Sequence, residues 1–210
     1  MHKQSKAEEM FQLGITLRRL IATMVDHHDP DLPFLFSKPD IKYGFWCIAV
    51  RNEDAWNFCY VPPSLTPVSS IDDIKIVVPN SLQMVWYEIP PFFCYSTETA
   101  REIILKWIDI GKPLPPHPFE HILIQQMQQH PTQPYSSTTF VTIIEVFVDN
   151  FIANTKNHNI DHLTHVSRCL LHGIHSIFPP PEVINHLGED PISNKIYLKV
   201  MEHGILSNRF

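Results

Sequence analysis

Two aspartates stand where carboxylates can do chemistry. Asp40 follows the apolar run Phe34-Leu35-Phe36-Ser37-Lys38-Pro39, at the end of a strand-like segment. Asp149 falls with Asn150 between two apolar, β-branched runs, Phe140 to Val148 and Phe151 to Ala153, which reads as the two-residue tip of a hairpin. A fold that brings both to one sheet surface sets hard oxygen ligands from distant parts of the chain side by side. Two-metal phosphoryl transfer needs such ligands, because a pair of Mg²⁺ ions roughly 3.5 to 4 Å apart must be held on rigid elements. On residue type and placement alone the plainer reading is a pair of turn residues, since aspartate is common at strand ends and hairpin tips.

The elements that must position them are legible as periodicity. From Lys6 to Asp26 the residues Ala7, Met10, Phe11, Leu17, Leu20, Ile21 and Met24 recur at three- and four-residue steps, predicting one helix face, with Pro30 and Pro33 beyond its end. Strand-like runs follow at 34–40, 45–50, 57–61 and 74–78, with a Pro/Ser-rich loop over 62–70. A helix is predicted from Thr97 to Ile110, capped by Ser96, turned inward through Ala100, Ile103, Ile104, Trp107 and Ile108, and stopped by Gly111 and Pro113. Residues 112–138, rich in Pro, Gln and His, read as an insertion with one short apolar piece at 121–127. The hairpin comes next, then a helix from Ile160 to His172 with Asp161 in its first turn and Gly173 at its end. This order predicts an α+β fold with helices on one face of an antiparallel sheet.

Bulk properties bound the function. A chain of 210 residues, 44% hydrophobic, is one domain able to bury a core. No apolar run approaches the roughly 20 residues of a membrane span, and Met1-His2-Lys3-Gln4-Ser5-Lys6 leads into no secretory stretch, so the expectation is an intracellular protein, cytoplasmic or nuclear, not secreted and with no membrane partner. Cys47, Cys59, Cys94 and Cys169 form no C-x-x-C pair, which signals neither a disulfide framework nor a zinc site. The formal net charge of -6 argues against a freestanding nucleic-acid binder. The pairs His27-His28, His162/His165 and His172/His175 raise zinc hydrolase chemistry as a competitor, although no H-E-x-x-H and no G-x-S-x-G is present.

Four blocks resemble the reverse transcriptases of retroelements over roughly Leu17 to Ser193. Phe36-Ser37-Lys38-Pro39-Asp40-Ile41-Lys42-Tyr43-Gly44-Phe45-Trp46 resembles the first palm motif. Asn80-Ser81-Leu82-Gln83-Met84-Val85-Trp86-Tyr87-Glu88-Ile89-Pro90-Pro91-Phe92-Phe93-Cys94 is similar to the motif that contacts template and nucleotide. Glu145-Val146-Phe147-Val148-Asp149-Asn150-Phe151 resembles the aromatic-x-Asp-Asp hairpin. His162 to Pro181, with Gly188-Glu189-Asp190-Pro191-Ile192-Ser193 after it, looks like the helix and following segment of polymerases from algal, fungal and oomycete elements.

The resemblance implies a ferredoxin-like palm over 34–195, preceded by a fingers-derived helix and connector over 1–33 and followed by a diverged tail over 196–210. It implies RNA-directed DNA polymerase activity with two Mg²⁺ ions, for which Mn²⁺ could substitute, held by Asp40 and Asp149 with Asn150 as a weaker catalytic ligand. Phe45 would be the sugar gate, and Gln83, Met84, Val85 and Trp86 the nucleotide and template contact. The partners would be an RNA or DNA template-primer and a dNTP, with the fingers hairpin, thumb and ribonuclease H supplied by a longer polyprotein. The chain departs from the family at Asn150, where a second aspartate is usual, at Val85, where glycine allows close backbone approach, and at Tyr43 and Ile89, which replace polar residues. These departures imply an impaired enzyme, and the alternative is a non-catalytic palm remnant that folds or self-associates.

Overall fold

The computed structural model describes residues 8–28, 34–63, 67, 69–83, 89–122, 141–156, 159–180, 190–192 and 197–200. Its centre is an antiparallel sheet of β2 (Thr142–Phe147), β3 (Asn150–Thr155) and β1 (Leu35–Lys38), in that order, with Tyr197–Val200 (β4) added at the far edge of β1. Register follows the pleat. Ile144 and Val146 of β2 and Phe151 and Ala153 of β3 are buried, in one core with Leu35 of β1 and Ile41 just beyond it. Two helices pack on these residues: α2 (Ile89–Asp109) through Phe93, Ala100 and Ile104, and α3 (Ile160–Ile177) through Leu163, Cys169, Leu170 and Ile174. The molecule is therefore α+β, with helices packed against an antiparallel sheet.

Helix α1 (Glu8–Asp26) lies along the free edge of β2, and the chemistry of that edge overrides the predicted apolar face. A strand edge exposes unpaired carbonyls that need donors. Thr16 Oγ1 donates to Val146 O at 2.9 Å, and Arg101 Nε of α2 donates to Ile144 O at 2.7 Å. Arg19 lies 2.7 Å from the Glu145 carboxylate, whose side chain is only 2% exposed. Thr16 and Leu20 therefore face inward, while Leu17 and Ile21, expected inside, are 67% and 51% exposed.

Helix α2 begins eight residues before the predicted start. Pro90 and Pro91 sit in its first turn, where a missing N–H costs no helical hydrogen bond. Ser96 is not its cap but an interior residue whose hydroxyl donates to Phe92 O. Helix α3 also runs past its predicted end to Ile177. Gly173 is interior and buried, because an added Cβ there would overlap Ile104 Cγ1 of α2. Asn159 caps α3, its side-chain oxygen accepting from the amides of Asp161 and His162.

The strand-like runs between Asp40 and α2 are mostly not strands. Gly44–Cys47, Ala55–Phe58 and Ile71–Asp73 are short 3₁₀ turns, and among the described residues the extended pieces pair at isolated bridges, Ala49 with Ser81 and Tyr60 with Val77. Tyr43, in the left-handed region at φ 57, breaks the run after Asp40 and starts the first of these turns. The start of the predicted insertion docks on α3: the Arg168 guanidinium forks onto Glu120 with two hydrogen bonds of 2.8 Å. The apolar piece at 121–127 lies outside the described residues beyond Ile122. No helix among the described residues is long and apolar enough to cross a membrane.

Candidate metal and nucleotide site

The chain leaves β1 at Lys38 and runs on beside the β2–β3 hairpin. Phe151 N donates to Pro39 O at 3.0 Å, Ile41 N donates to Asp149 O at 2.9 Å, and Asp40 is bridged to Asn150 across the pair. The turn itself is shifted one residue from the sequence expectation. Its two central residues are Val148 and Asp149, and Asn150 is the first residue of β3, opposite Phe147. Val148 takes φ 58 and Asp149 has no positive φ, the pattern of a type II′ turn. A β-branched residue is strained in that region. Asn150, the expected turn residue, is instead held by its ladder partner and by Asp40.

Asp40, Asp149 and Asn150 are thus neighbours, all half-buried at one corner of the sheet. Burial and then the Asp149 charge raise the Asp40 pKa above the usual carboxylate value, against a smaller lowering pull from Lys38. A hard divalent cation between the two carboxylates would offset the smaller, Coulombic part of that rise. Asn150 Nδ2 donates to Asp149 Oδ1 at 2.8 Å, so the amide nitrogen already occupies one Asp149 oxygen. Asp40 and Asp149 are the two carboxylates that would serve a cation here, with the Asn150 amide as a neutral neighbour, and among the described residues they belong to no group of three or more His, Cys, Asp or Glu side chains able to hold a metal.

Behind the carboxylates the packing is tight. Gly44 has no room for a side chain: a Cβ would lie 2.6 Å from Phe93 Cζ and 3.5 Å from Asp149 Cβ. Phe93, fully buried on α2, packs its ring tilted against Phe45, with centroids 4.4 Å apart, and against Phe178 at 5.9 Å. Phe45 is therefore fixed in place, half-buried beside the aspartate turn. The sequence offers the Phe92-Phe93 pair as exposed surface for self-association, and the structure divides it, with Phe92 61% exposed and Phe93 at 0%. Gly44 has no role in the sequence reading, although it is one of the chain's 6 glycines and the one inside the Asp40 block.

Leu82 N donates to Ile48 O at 3.0 Å, which ties the residue before Gln83 to the segment after the Phe45 turn. A cleft of about 440 Å³ opens there, lined by Ile48, Arg51, Leu82, Ile89, Phe92 and Tyr95 among others. Met84, Val85 and Trp86 lie outside the described residues.

The helical histidines His162, His165 and His172 meet other protein groups. His162 meets Thr142 Oγ1 at 3.1 Å, His165 lies beside Cys169 Sγ, and His172 meets Pro115 O at 3.0 Å. Among the described residues no group of three or more His, Cys, Asp or Glu side chains could hold a metal. The thiols of Cys47 and Cys169 are pushed up to about 11, mainly by burial, which leaves them protonated and inert at neutral pH. No protein-family model, curated protein or solved structure matches this chain.

Proposed function

We propose that this chain is the palm core of a retroelement reverse transcriptase, built for template-directed transfer of a nucleotide to a primer 3′-hydroxyl. The observation that supports it most is the meeting of Asp40 and Asp149, 109 positions apart in sequence, through the Asp40–Asn150 bridge and the Ile41 N to Asp149 O hydrogen bond of 2.9 Å. In this reading Asp40 and Asp149 hold two Mg²⁺ ions, or Mn²⁺ in their place, with Asn150 as auxiliary. Bound there, the ions supply an acidified hydroxyl and neutralise charge on the transferring phosphoryl group. The protein holds the carboxylates on a strand extension and a hairpin tip, both tied by backbone hydrogen bonds. Phe45, fixed against Phe93, would close the space beside the sugar, and the segment from Gln83 to Trp86 would face template and base. The ferredoxin-like topology, the fingers origin of α1 and a longer polyprotein belong to this same reading.

A second reading, a folded palm remnant without chemistry, is favoured by one specific contact. The Asn150 amide donates to Asp149 Oδ1, where a second aspartate would add charge and leave that oxygen to a cation. Primer extension on an RNA template with Mg²⁺ or Mn²⁺ separates the two. Incorporation that disappears in Asp149→Ala and rises in Asn150→Asp supports the polymerase; no incorporation even in Asn150→Asp with Val85→Gly supports the remnant.

A further inference from the structure

On the other side of the Asp40 segment from the hairpin lies a short stretch, 190–192, and it is held by a chain of side chains. Lys42 N donates to Pro191 O at 2.6 Å, and Ile41 is bridged to Ile192, both of them buried. The Asp40 segment is thereby gripped from two sides, by 149–151 and by 190–192. Asp190 Oδ1 accepts from Ile192 N at 2.8 Å and from His175 Nε2 at 3.0 Å. His175 Nδ1 lies 3.1 Å from His117 Nε2.

One proton arrangement satisfies this chain. Phe119 N, always a donor, points at His117 Nδ1 at 3.1 Å, so that nitrogen accepts and the ring proton sits on Nε2. His117 then donates to His175 Nδ1, and His175 donates from Nε2 to Asp190. Burial first, and the neighbouring His175 and His172 second, lower the His117 pKa to about 4, which keeps it neutral as this arrangement requires. His117 is itself anchored, its backbone N–H donating to Glu120 Oε2 at 3.0 Å while Glu120 takes the Arg168 fork. The same proton arrangement excludes a metal on this pair, because the His117 nitrogen facing His175 carries hydrogen and offers no lone pair.

We propose that His175 and Asp190, oriented by His117, are positioning residues for Asp40: they fix 190–192 as the second wall that sets the aspartate facing Asp149. The role of the aspartate itself rests on the polymerase reading above. Without that wall the half-buried Asp40 would be held from the hairpin side alone, and its carboxylate could turn away from its like-charged neighbour. Supporting groups of this kind change metal affinity roughly 10- to 100-fold when removed, although they touch no metal.

The test uses the full chain and three variants, Asp190→Ala, His175→Phe and Asp190→Asn. Amide hydrogen exchange at Lys42 and Mn²⁺ affinity by electron paramagnetic resonance are measured together. In Asp190→Ala and His175→Phe, Lys42 exchange is expected to quicken about tenfold and Mn²⁺ affinity to fall about tenfold, while the β2–β3 amides keep their wild-type protection. Asp190→Asn keeps an oxygen that can accept from both His175 and Ile192, and is expected to stay within about twofold of wild type in both measurements. Unchanged Lys42 exchange, an equal quickening of the β2–β3 amides, or unchanged Mn²⁺ affinity in a folded Asp190→Ala chain would overturn the proposal. If Asp190→Ala does not fold, His175→Phe, which keeps ring volume, carries the same decision. Should wild type bind no Mn²⁺ that Asp149→Ala removes, the metal reading falls alone, and Lys42 exchange still decides the positioning.

Discussion

Gly44→Ala is the sharpest probe of the site, because two opposed effects differ in sign. Gly44 has no positive φ, so its backbone would accept alanine, and the loss of glycine's freedom in the unfolded chain would favour the variant by about 0.4–1 kcal/mol. The added Cβ, however, would lie 2.6 Å from Phe93 Cζ and 3.0 Å from Phe93 Cε2, where carbon pairs settle at roughly 3.5–4.0 Å. The Phe93 ring has nowhere to go: it is 0% exposed, with Phe45 packed on one side and Phe178 on another. Overpacking of this kind costs about 1–3 kcal/mol. The net expectation is a loss of about 1–2 kcal/mol, read as a lower urea midpoint at unchanged m-value. Asp149 Cβ would be 3.5 Å from the new methyl, an ordinary contact, so any loss of Mn²⁺ binding should come through displacement of Phe93 and the rings packed on it. Trimming the ring with Phe93→Leu should recover about 1 kcal/mol of the loss in a double-mutant cycle. A Gly44→Ala protein more stable than wild type, with Mn²⁺ affinity intact, would refute the packing argument.

Three further outcomes follow from the same geometry. Gly173→Ala gains about 1 kcal/mol of helix propensity but drives a Cβ into Ile104 Cγ1 at the α2–α3 crossing, so thermal unfolding should show a net loss of about 1–2 kcal/mol, relieved by Ile104→Ala. Tyr43→Gly should raise stability by about 1 kcal/mol in urea, since Tyr43 is 55% exposed and its left-handed backbone is unfavourable for any residue with a Cβ. For His117 the folded pKa of about 4 lies below the ordinary 6.5, so between those values the unfolded chain takes up the proton first. Stability should therefore fall as pH drops from 6.5 to 4, by at most about 3 kcal/mol, and His117→Phe should remove that part of the pH dependence; parallel wild-type and variant curves would contradict it.

The sequence carried the sheet and the aspartates because their signals are local. Apolar, β-branched runs mark β2 and β3, and the Asp149-Asn150 pair between them marks the hairpin, although the ladder places Asn150 in β3 and leaves Val148 to take the strained position. What the sequence hid was set by partners far along the chain. Whether 45–50 forms a strand depends on a neighbour to pair with, and Phe45 found Phe93 instead. The inward face of α1 is set by the Val146 carbonyl and the Glu145 carboxylate, which no periodicity within α1 can show. Pro90-Pro91 reads as a break unless it is placed in a first turn, and Gly173 reads as an end unless Ile104 is known to lie across from it. The relay from His117 to Asp190 joins three segments and leaves no spacing to read.

Among the described residues the positive-φ residues other than glycine are Tyr43 and Val148, and both flank the carboxylate pair. Like-charge repulsion between Asp40 and Asp149 falls at the same corner. Strain and repulsion concentrated in one place persist only where surrounding structure over-determines them, and here the surroundings are identifiable: the hairpin ladder, the Gly44–Phe93 contact and the 190–192 wall. These supports are mostly backbone hydrogen bonds and apolar packing, so they are independent of the side chain at 150. The departures from the reverse transcriptase pattern named at Asn150 and Val85 are, by contrast, changes of side chain alone. If the polymerase reading holds, the scaffold of the site has outlasted part of its charge, and restoring one carboxylate and one glycine addresses the whole deficit at those two positions without rebuilding the corner that holds them.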